Sequence, residues 1–553
     1  MSLVPQRRST ATVANAPSTS NGLNITFGIE HEFLVLDSQR LGFENQEKAD
    51  HGLSLVSSAL KNPVQITCST CGQLHDSDLQ PRVQSKVNDN SDHTCWNLVA
   101  DTSMKLSPRQ NALLREEECE VYGVELTSRV LYADREKPTT KPAPHGRHVH
   151  DATHQEEVST FINTVNRLFT PQESAAGHRQ ERRVVVNDSC SLHVHIGNGT
   201  AGFELQTVKN LLSICTAFER IIDSMHTKSR IGSSALAFEP IDEDIFDAGA
   251  DIMAVAKEGS RTRTFFNRSL TERLFSNAYV TRRNDNAAAR ARYPASQTDH
   301  NAILEQAASG YHSMAFVEVI QHAPNIESLQ QLLSLCCETS VNILHLVVNE
   351  GENVSEERGY RRLNTIEFRQ HAAITDPKEA LPWIDFLQTL VKYAHSQTAE
   401  SVRSICENVA SNPHFSLADL FNLLNVGQQT QHFYLTRTPA SVQAPFALAR
   451  AEADSLDSND PFRAISLELI NERAADHDPN EIASTIREKF EEGGYGQFSR
   501  AFIDGYAPEL SEGEKERLTI GWVAPATAEL DYGGFGDDFG DDMVIDDDDE
   551  LLV

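Results

Sequence analysis

Apolar residues along this chain recur with two different periods, and each period predicts an element. Residues 25–36, 95–101, 122–131, 192–196 and 364–371 read as strands, the alternation being clearest where charged residues interrupt Phe, Ile, Val and Leu at every second position. Elsewhere the spacing is three or four. Val158, Phe161, Ile162, Val165, Leu168 and Phe169 form one face of a helix over 156–169, and Thr153 followed by Glu156 predicts a capping box at its start. Leu211, Leu212, Cys215, Phe218, Ile222 and Met225 predict a second helix over 208–225; Leu381, Ile384, Leu387 and Val391 predict a third over 379–394. Strands and helices of this kind, each with one apolar face, predict an α+β fold in which helices cover one side of a sheet.

The same alternation sorts the polar residues. Residues two apart on a strand share a face, so in FGIEHEF the side chains of Glu30 and Glu32 project together while Phe27, Ile29 and Phe33 project oppositely. The stretch CSLHVHIG does the same with His193 and His195, and NTIEFRQH with Glu367, Arg369 and His371. In YGVELTS a lone Glu125 stands between Val124 and Leu126. Any one of these strands is ordinarily just a solvated sheet face. Four in one chain, each backed by apolar residues, predict a shared site. Carboxylates brought together on a sheet repel one another unless a cation compensates, and hard oxygen donors in this number suit Mg²⁺ or Mn²⁺.

The order of these motifs, Phe27 to Phe33, then Trp96 to Ser103 (W-x-x-x-x-D-x-S), Gly123 to Ser128, His193 to Gly197 and Thr365 to His371, resembles the fungal-type amidoligases, relatives of glutamine synthetase and glutamate–cysteine ligase. The resemblance runs over roughly 23–437. It departs from the family pattern at Ser191, where Gly is usual before the H-x-H strand, and after V-E-L, where Ser128 and Arg129 stand in place of Ser-Pro. It implies a glutamine-synthetase-like, mostly antiparallel sheet with a concave metal-binding face and helices on the other side. It also implies an ATP-dependent carboxylate–amine ligase that makes an amide through an acyl phosphate. Carried over by residue, the divalent cations would be held by Glu30, Glu32, Glu125, His193 and Glu367. Arg369 would face the transferring phosphoryl group, His195 would touch phosphate or substrate, and Arg230 would be a further nucleotide contact. The partners it implies are small-molecule or peptide carboxylates and amines.

Composition narrows this reading. A formal charge of -32 works against nucleic acid and anionic membrane as partners, and no run is apolar enough to span a bilayer. The nine scattered cysteines read as reduced thiols, and a chain without an apolar leader is expected in the cytoplasm. Residues 1–22 are rich in Ser, Thr, Ala and Pro, and 529–553 carry eleven acids and no base, so both ends read as disordered tails. The catalytic domain is expected over 23–437 and a helical extension over 438–528. No P-loop motif occurs, which leaves the sheet to hold the nucleotide.

Weaker chemistry remains. Cys68, Cys71, His75 and Cys95 have the look of a zinc site that lacks its second half. His145, His148, His150 and His154 lie in a Pro-rich connection and read as a solvated loop. Cys190 reads as a small buried residue. The alternative to an active ligase is a non-catalytic scaffold of the same fold with an acidic interaction tail. Retention of all five cation-holding residues favours the enzyme. A hydrolase using the same face is a third reading.

Overall fold

A computed structural model describes residues 23–38, 45–60, 65–67, 74–76, 82–83, 95–101, 103–114, 119–133, 153–169, 182–199, 201–231, 317, 320–332, 340–346, 364–411, 415–456, 460–478, 481–482, 485 and 511–513. The two tails, Cys68, Cys71 and the loop histidines 145, 148 and 150 lie outside the described residues.

The centre of the molecule is strand β1 (Ile25–Asp37), whose 13 residues are long enough for two strands to line each edge. On one edge β9 (Ser191–Asn198) pairs with its first half and β8 (Arg182–Val185) with its last residues. On the other edge lie β7 (Leu131–Tyr132) and β6 (Glu120–Thr127). The sheet runs β10-β11-β9-β1-β6-β5-β4, with β10 at Val341–Asn342, β11 at Thr365–Ala372, β5 at Asn97–Ala100 and β4 at Arg82–Val83. All pairings are antiparallel except β4 with β5. Strands β2 (Gln65–Thr67) and β3 (Leu74–Asp76) form a separate hairpin. The expected mixed fold with a mostly antiparallel sheet is therefore present.

Its apolar face is buried by helices. Phe27, Ile29 and Phe33 of β1, Val194 of β9 and Phe368 of β11 all sit in the core. Against them pack α1 (Asn45–Ala59), α3 (His154–Asn166), α4 (Leu205–Ala217) and the 20-residue α7 (Pro377–Ser396). Trp96 stacks on Phe161 of α3 with centroids 4.0 Å apart. Trp383 stacks on Phe386, which meets Phe421 edge-on. Burying each such ring removes enough apolar surface to contribute roughly 2–3 kcal/mol. The capping box at Thr153 forms as expected: Glu156 N donates to Thr153 Oγ1 at 3.2 Å and Thr153 N to Glu156 Oε2 at 2.9 Å.

Two expectations are corrected. The helix predicted over 208–225 breaks after Ala217, because Phe218 leaves helical geometry (φ -106, ψ 9) with its ring buried against Phe415, and a short α5 (Glu219–Asp223) follows. His371 does not share the face of Glu367 and Arg369, because β11 bulges between Phe368 and His371. One extra residue there turns His371 into the helical layer, 5.8 Å from the His226 ring.

Beyond residue 437 the chain continues with α11 (Pro439–Asp454) and α12 (Arg463–Asp476). Phe462, Ile465 and Leu469 join the main core, and Arg109–Glu468, Ser229–Asp476 and Lys228–Glu481 contacts tie this segment down. Among the described residues no helix is long and apolar enough to cross a membrane.

Candidate functional site

Pairing register decides which polar residues meet. Glu30 lies directly opposite His193, Glu367 opposite His195, and Glu32 opposite Glu125. The first two pairings each set a carboxylate beside an imidazole. The third sets two carboxylates side by side, an arrangement that destabilises a sheet unless something offsets it.

Two groups of side chains emerge. In one, Glu30, His195 and Glu367 bring a ligand atom each within 4.8 Å of one another. His195 Nε2 lies 2.9 Å from Glu30 Oε1, and its Nδ1 is 3.1 Å from the Thr365 hydroxyl, which fixes the ring. In the other, Glu32, Asp101 and Glu125 do the same. Glu32 also accepts from the Ser191 amide at 2.6 Å, and Glu125 from the Thr127 hydroxyl at 2.9 Å. His193 stands between the groups: its Nδ1 is 3.0 Å from Glu30 and 3.5 Å from Glu367, its Nε2 3.6 Å from Glu32.

Arg369 donates to Glu367 Oε1, while Asn342 Nδ2 donates to the other carboxylate oxygen at 2.7 Å and His345 Nε2 lies 3.3 Å from it. His345 also meets His195 edge-on at 5.3 Å.

The electrostatics divide along the same line. Burial works to raise the Glu30 carboxyl, but His195 and His193 outweigh it and hold it well below its ordinary value. Glu367 follows the same logic, with Arg369 the chief counterweight to burial. His195 is held above its ordinary value because Glu30 and Glu367 overcome the effect of burial. Glu125 moves the other way. Burial, then Glu30, Glu32 and Asp101, push its carboxyl well up. Glu32 is raised too, chiefly by burial. A buried carboxylate group with too little positive charge is what a hard divalent cation would relieve, and the oxygen-rich donor set fits Mg²⁺ or Mn²⁺.

The structure thus brings together Glu30, Glu32, Glu125, His193, His195, Glu367 and Arg369, as the strand alternation anticipated. The resemblance gave the ligand role to His193; the geometry puts His195 in the Glu30–Glu367 group and leaves His193 linking both. Arg230 is buried at 3% exposure, and its donors go to the Ser191 hydroxyl at 2.7 Å and to the Asp188 and Cys190 carbonyls. It makes no hydrogen bond to Glu32 itself: Ser191 stands between them, its amide donating to Glu32 and its hydroxyl accepting from Arg230, while the guanidinium acts on the Glu32 carboxylate by its charge. The Cys95 thiol lies 3.8 Å from Asn97 Oδ1. His154 packs its ring on Phe27 at 5.3 Å.

Three residues of the site were not singled out from sequence. Asp101 stands in the W-x-x-x-x-D-x-S motif, two positions beyond Val99, and that spacing was the available signal. Asn342 and His345 sit in and just after a two-residue strand, too short to show any period.

A family model described as "Putative amidoligase enzyme" matches residues 23–308, a little over half of the 553-residue chain. No curated protein and no solved structure matches. The matched span supplies Glu30, Glu32, Asp101, Glu125, His193 and His195, while Glu367 and Arg369 come from beyond it and complete the same face. With the motifs in order along that span and their side chains converging on one side of the sheet, the chain belongs to the amidoligase family.

Proposed function

We propose that this ligase joins a carboxylate to an amine at the expense of ATP, on the sheet face that carries Glu30 and Glu367. The observation that carries the reading is the pair of acidic groups on one face: Glu30 and Glu367 lie among His193, His195 and Arg369, while Glu32, Asp101 and Glu125 gather three carboxylates whose mutual repulsion helps push the Glu125 carboxyl well up. Mg²⁺ or Mn²⁺ held by Glu30, His195 and Glu367, and by Glu32, Asp101 and Glu125, would neutralise the charge of the nucleotide phosphates.

The residues do the rest by placement. Phosphoryl transfer depends on positioning and on charge set out in advance, which a rigid sheet provides. Arg369, fixed through Glu367, offers a planar fork to the transferring group. The substrate carboxylate takes the γ-phosphoryl and releases ADP; the amine then attacks the acyl carbon, phosphate leaves, and the amine gives up a proton. With His195 among the residues that would hold the cation, and its other ring nitrogen facing the Thr365 hydroxyl, that proton passes to solvent water.

Thermal denaturation with Mg²⁺ and ATP, alone and together, tests the reading. Both together should raise the melting temperature of the parent and raise it less in Glu30→Gln and Glu367→Gln. An equal rise in all three proteins would place nucleotide binding elsewhere. Mg²⁺-dependent ATP consumption screened against amino acids and polyamines then identifies the substrates.

A further inference from the structure

On the opposite side of the sheet from the acidic groups is a cavity of about 800 Å³. It lies between β8, the start of α7, α10 (Gln428–Leu435), α11 and α12, and none of the acid-face residues lines it. Helix α11 spans it. The apolar stripe of that helix, Val442, Phe446, Ala449 and Ala453, faces the cavity, and of the four only Ala453 is buried. Protein interiors are packed nearly as densely as organic crystals, so a helix that turns its apolar stripe toward a space this large leaves its dispersion contacts unmade. The volume is that of a site for a small organic ligand, and the floor is correspondingly apolar, with Leu168, Val184, Val186, Leu469 and Ile470.

The polar part of the wall is not neutral. Four bases, Arg183, Lys378, Arg437 and Arg473, face three acids, and one of these, Asp376, is taken up in capping α7 through the Lys378 amide at 2.9 Å. Arg437 lies over the Phe433 ring at 4.7 Å and makes no hydrogen bond or ion pair among the described residues. Arg473 donates to the Thr375 hydroxyl at 3.3 Å and the Ala373 carbonyl at 3.5 Å, and Glu379, which also lines the cavity, is the acid whose charge acts on it most. A smaller annex of about 90 Å³ opens beside Arg437 and is lined by residues including His226, His371 and His477; the Nε2 of His226, buried at 5% exposure, has no hydrogen-bond partner among the described residues.

We propose that this cavity binds an amphipathic anion, its apolar body against α11 and the β8 valines and its carboxylate or phosphate head on Arg437 and Arg473. The guanidinium forks match either oxyanion, and the apolar stripe supplies what a free phosphate would not use. The site is separate from the acid face and does not depend on the reading of that face.

Isothermal titration of the full chain with decanoate, decyl phosphate, inorganic phosphate and neutral decanol, each below its micellar concentration, tests the proposal. Saturable binding of decanoate or decyl phosphate is expected, with decanol about tenfold weaker, the worth of one charge-assisted contact. The stronger of the two anions identifies the head group. Ala449→Trp should fill the cavity and abolish binding. Arg437→Gln, at an exposed position where folding is not at stake, should bind decanoate no better than decanol. The proposal is overturned by an absence of saturable heat in the parent, by inorganic phosphate binding as well as the decyl anions, or by an unchanged preference for anions in Arg437→Gln.

Discussion

A Cβ on Gly123 would lie 2.0 Å from the carbonyl oxygen of Asp101. The end of β5 therefore presses onto β6 at the one residue type that leaves room, and the Asp101 amide donates back to the Gly123 carbonyl at 3.1 Å. That contact places the Asp101 carboxylate beside Glu32 and Glu125. Gly123→Ala should cost about 1–3 kcal/mol through the displaced backbone and should weaken Mg²⁺ binding besides. Urea unfolding and Mg²⁺ titration check both parts; an alanine variant with parental stability would mean that the strands separate freely there.

The acid group makes a signed prediction about pH. Burial and the neighbouring Glu30, Glu32 and Asp101 raise the Glu125 carboxyl above its ordinary value of 4.5. An acid raised in this way stabilises the fold fully while the pH is below the ordinary value, and that contribution is lost as the pH rises through the folded value. Glu125→Gln cannot ionise. Without divalent cations it should melt above the parent at about pH 8 and no longer exceed it at about pH 4. Added Mg²⁺ should reverse the order at the higher pH by stabilising the parent alone. Identical melting of the two cation-free proteins at the higher pH would rule out repulsion at Glu125.

Arg369 separates catalysis from architecture. Its guanidinium already donates to Glu367, so lysine would keep the charge but not a fork able to hold Glu367 and a phosphoryl oxygen together. In Arg369→Lys, turnover should fall on the order of a hundredfold while nucleotide affinity changes little. Steady-state kinetics with a substrate pair from the screen gives the answer, and a near-parental turnover number would leave Arg369 as a structural partner of Glu367.

Behind the sheet, Glu157 is wholly buried and accepts from Trp96 Nε1 at 2.7 Å and from Arg129 Nε and NH2 at 2.8 and 2.7 Å. Glu157→Ala would strand a cation and an indole donor and should cost about 3 kcal/mol, read as a lower urea midpoint. The variant that still folds should keep its Mg²⁺ response, since Glu157 belongs to neither acidic group. Loss of that response with the fold intact would mean that this network shapes the acid face.

What the sequence determined by itself was local. Alternation of period two placed Glu30 with Glu32 and His193 with His195 on single faces, because the pleat leaves no other choice. The Thr153–Glu156 spacing set a helix start because each side chain accepts from the other residue's otherwise unpaired backbone amide. Tertiary structure decided which of those faces touch. Glu32 meets Glu125 and Glu367 meets His195 through strand pairings far apart in sequence, and no local period encodes a register between such strands. The bulge that turns His371 away from Glu367, the close approach that admits Asp101, and the two-residue strand that delivers Asn342 all depend on neighbours brought in by the fold. So does the cavity behind α11, since a helical stripe in the sequence states that a face will be apolar and says nothing of whether the space before it is filled.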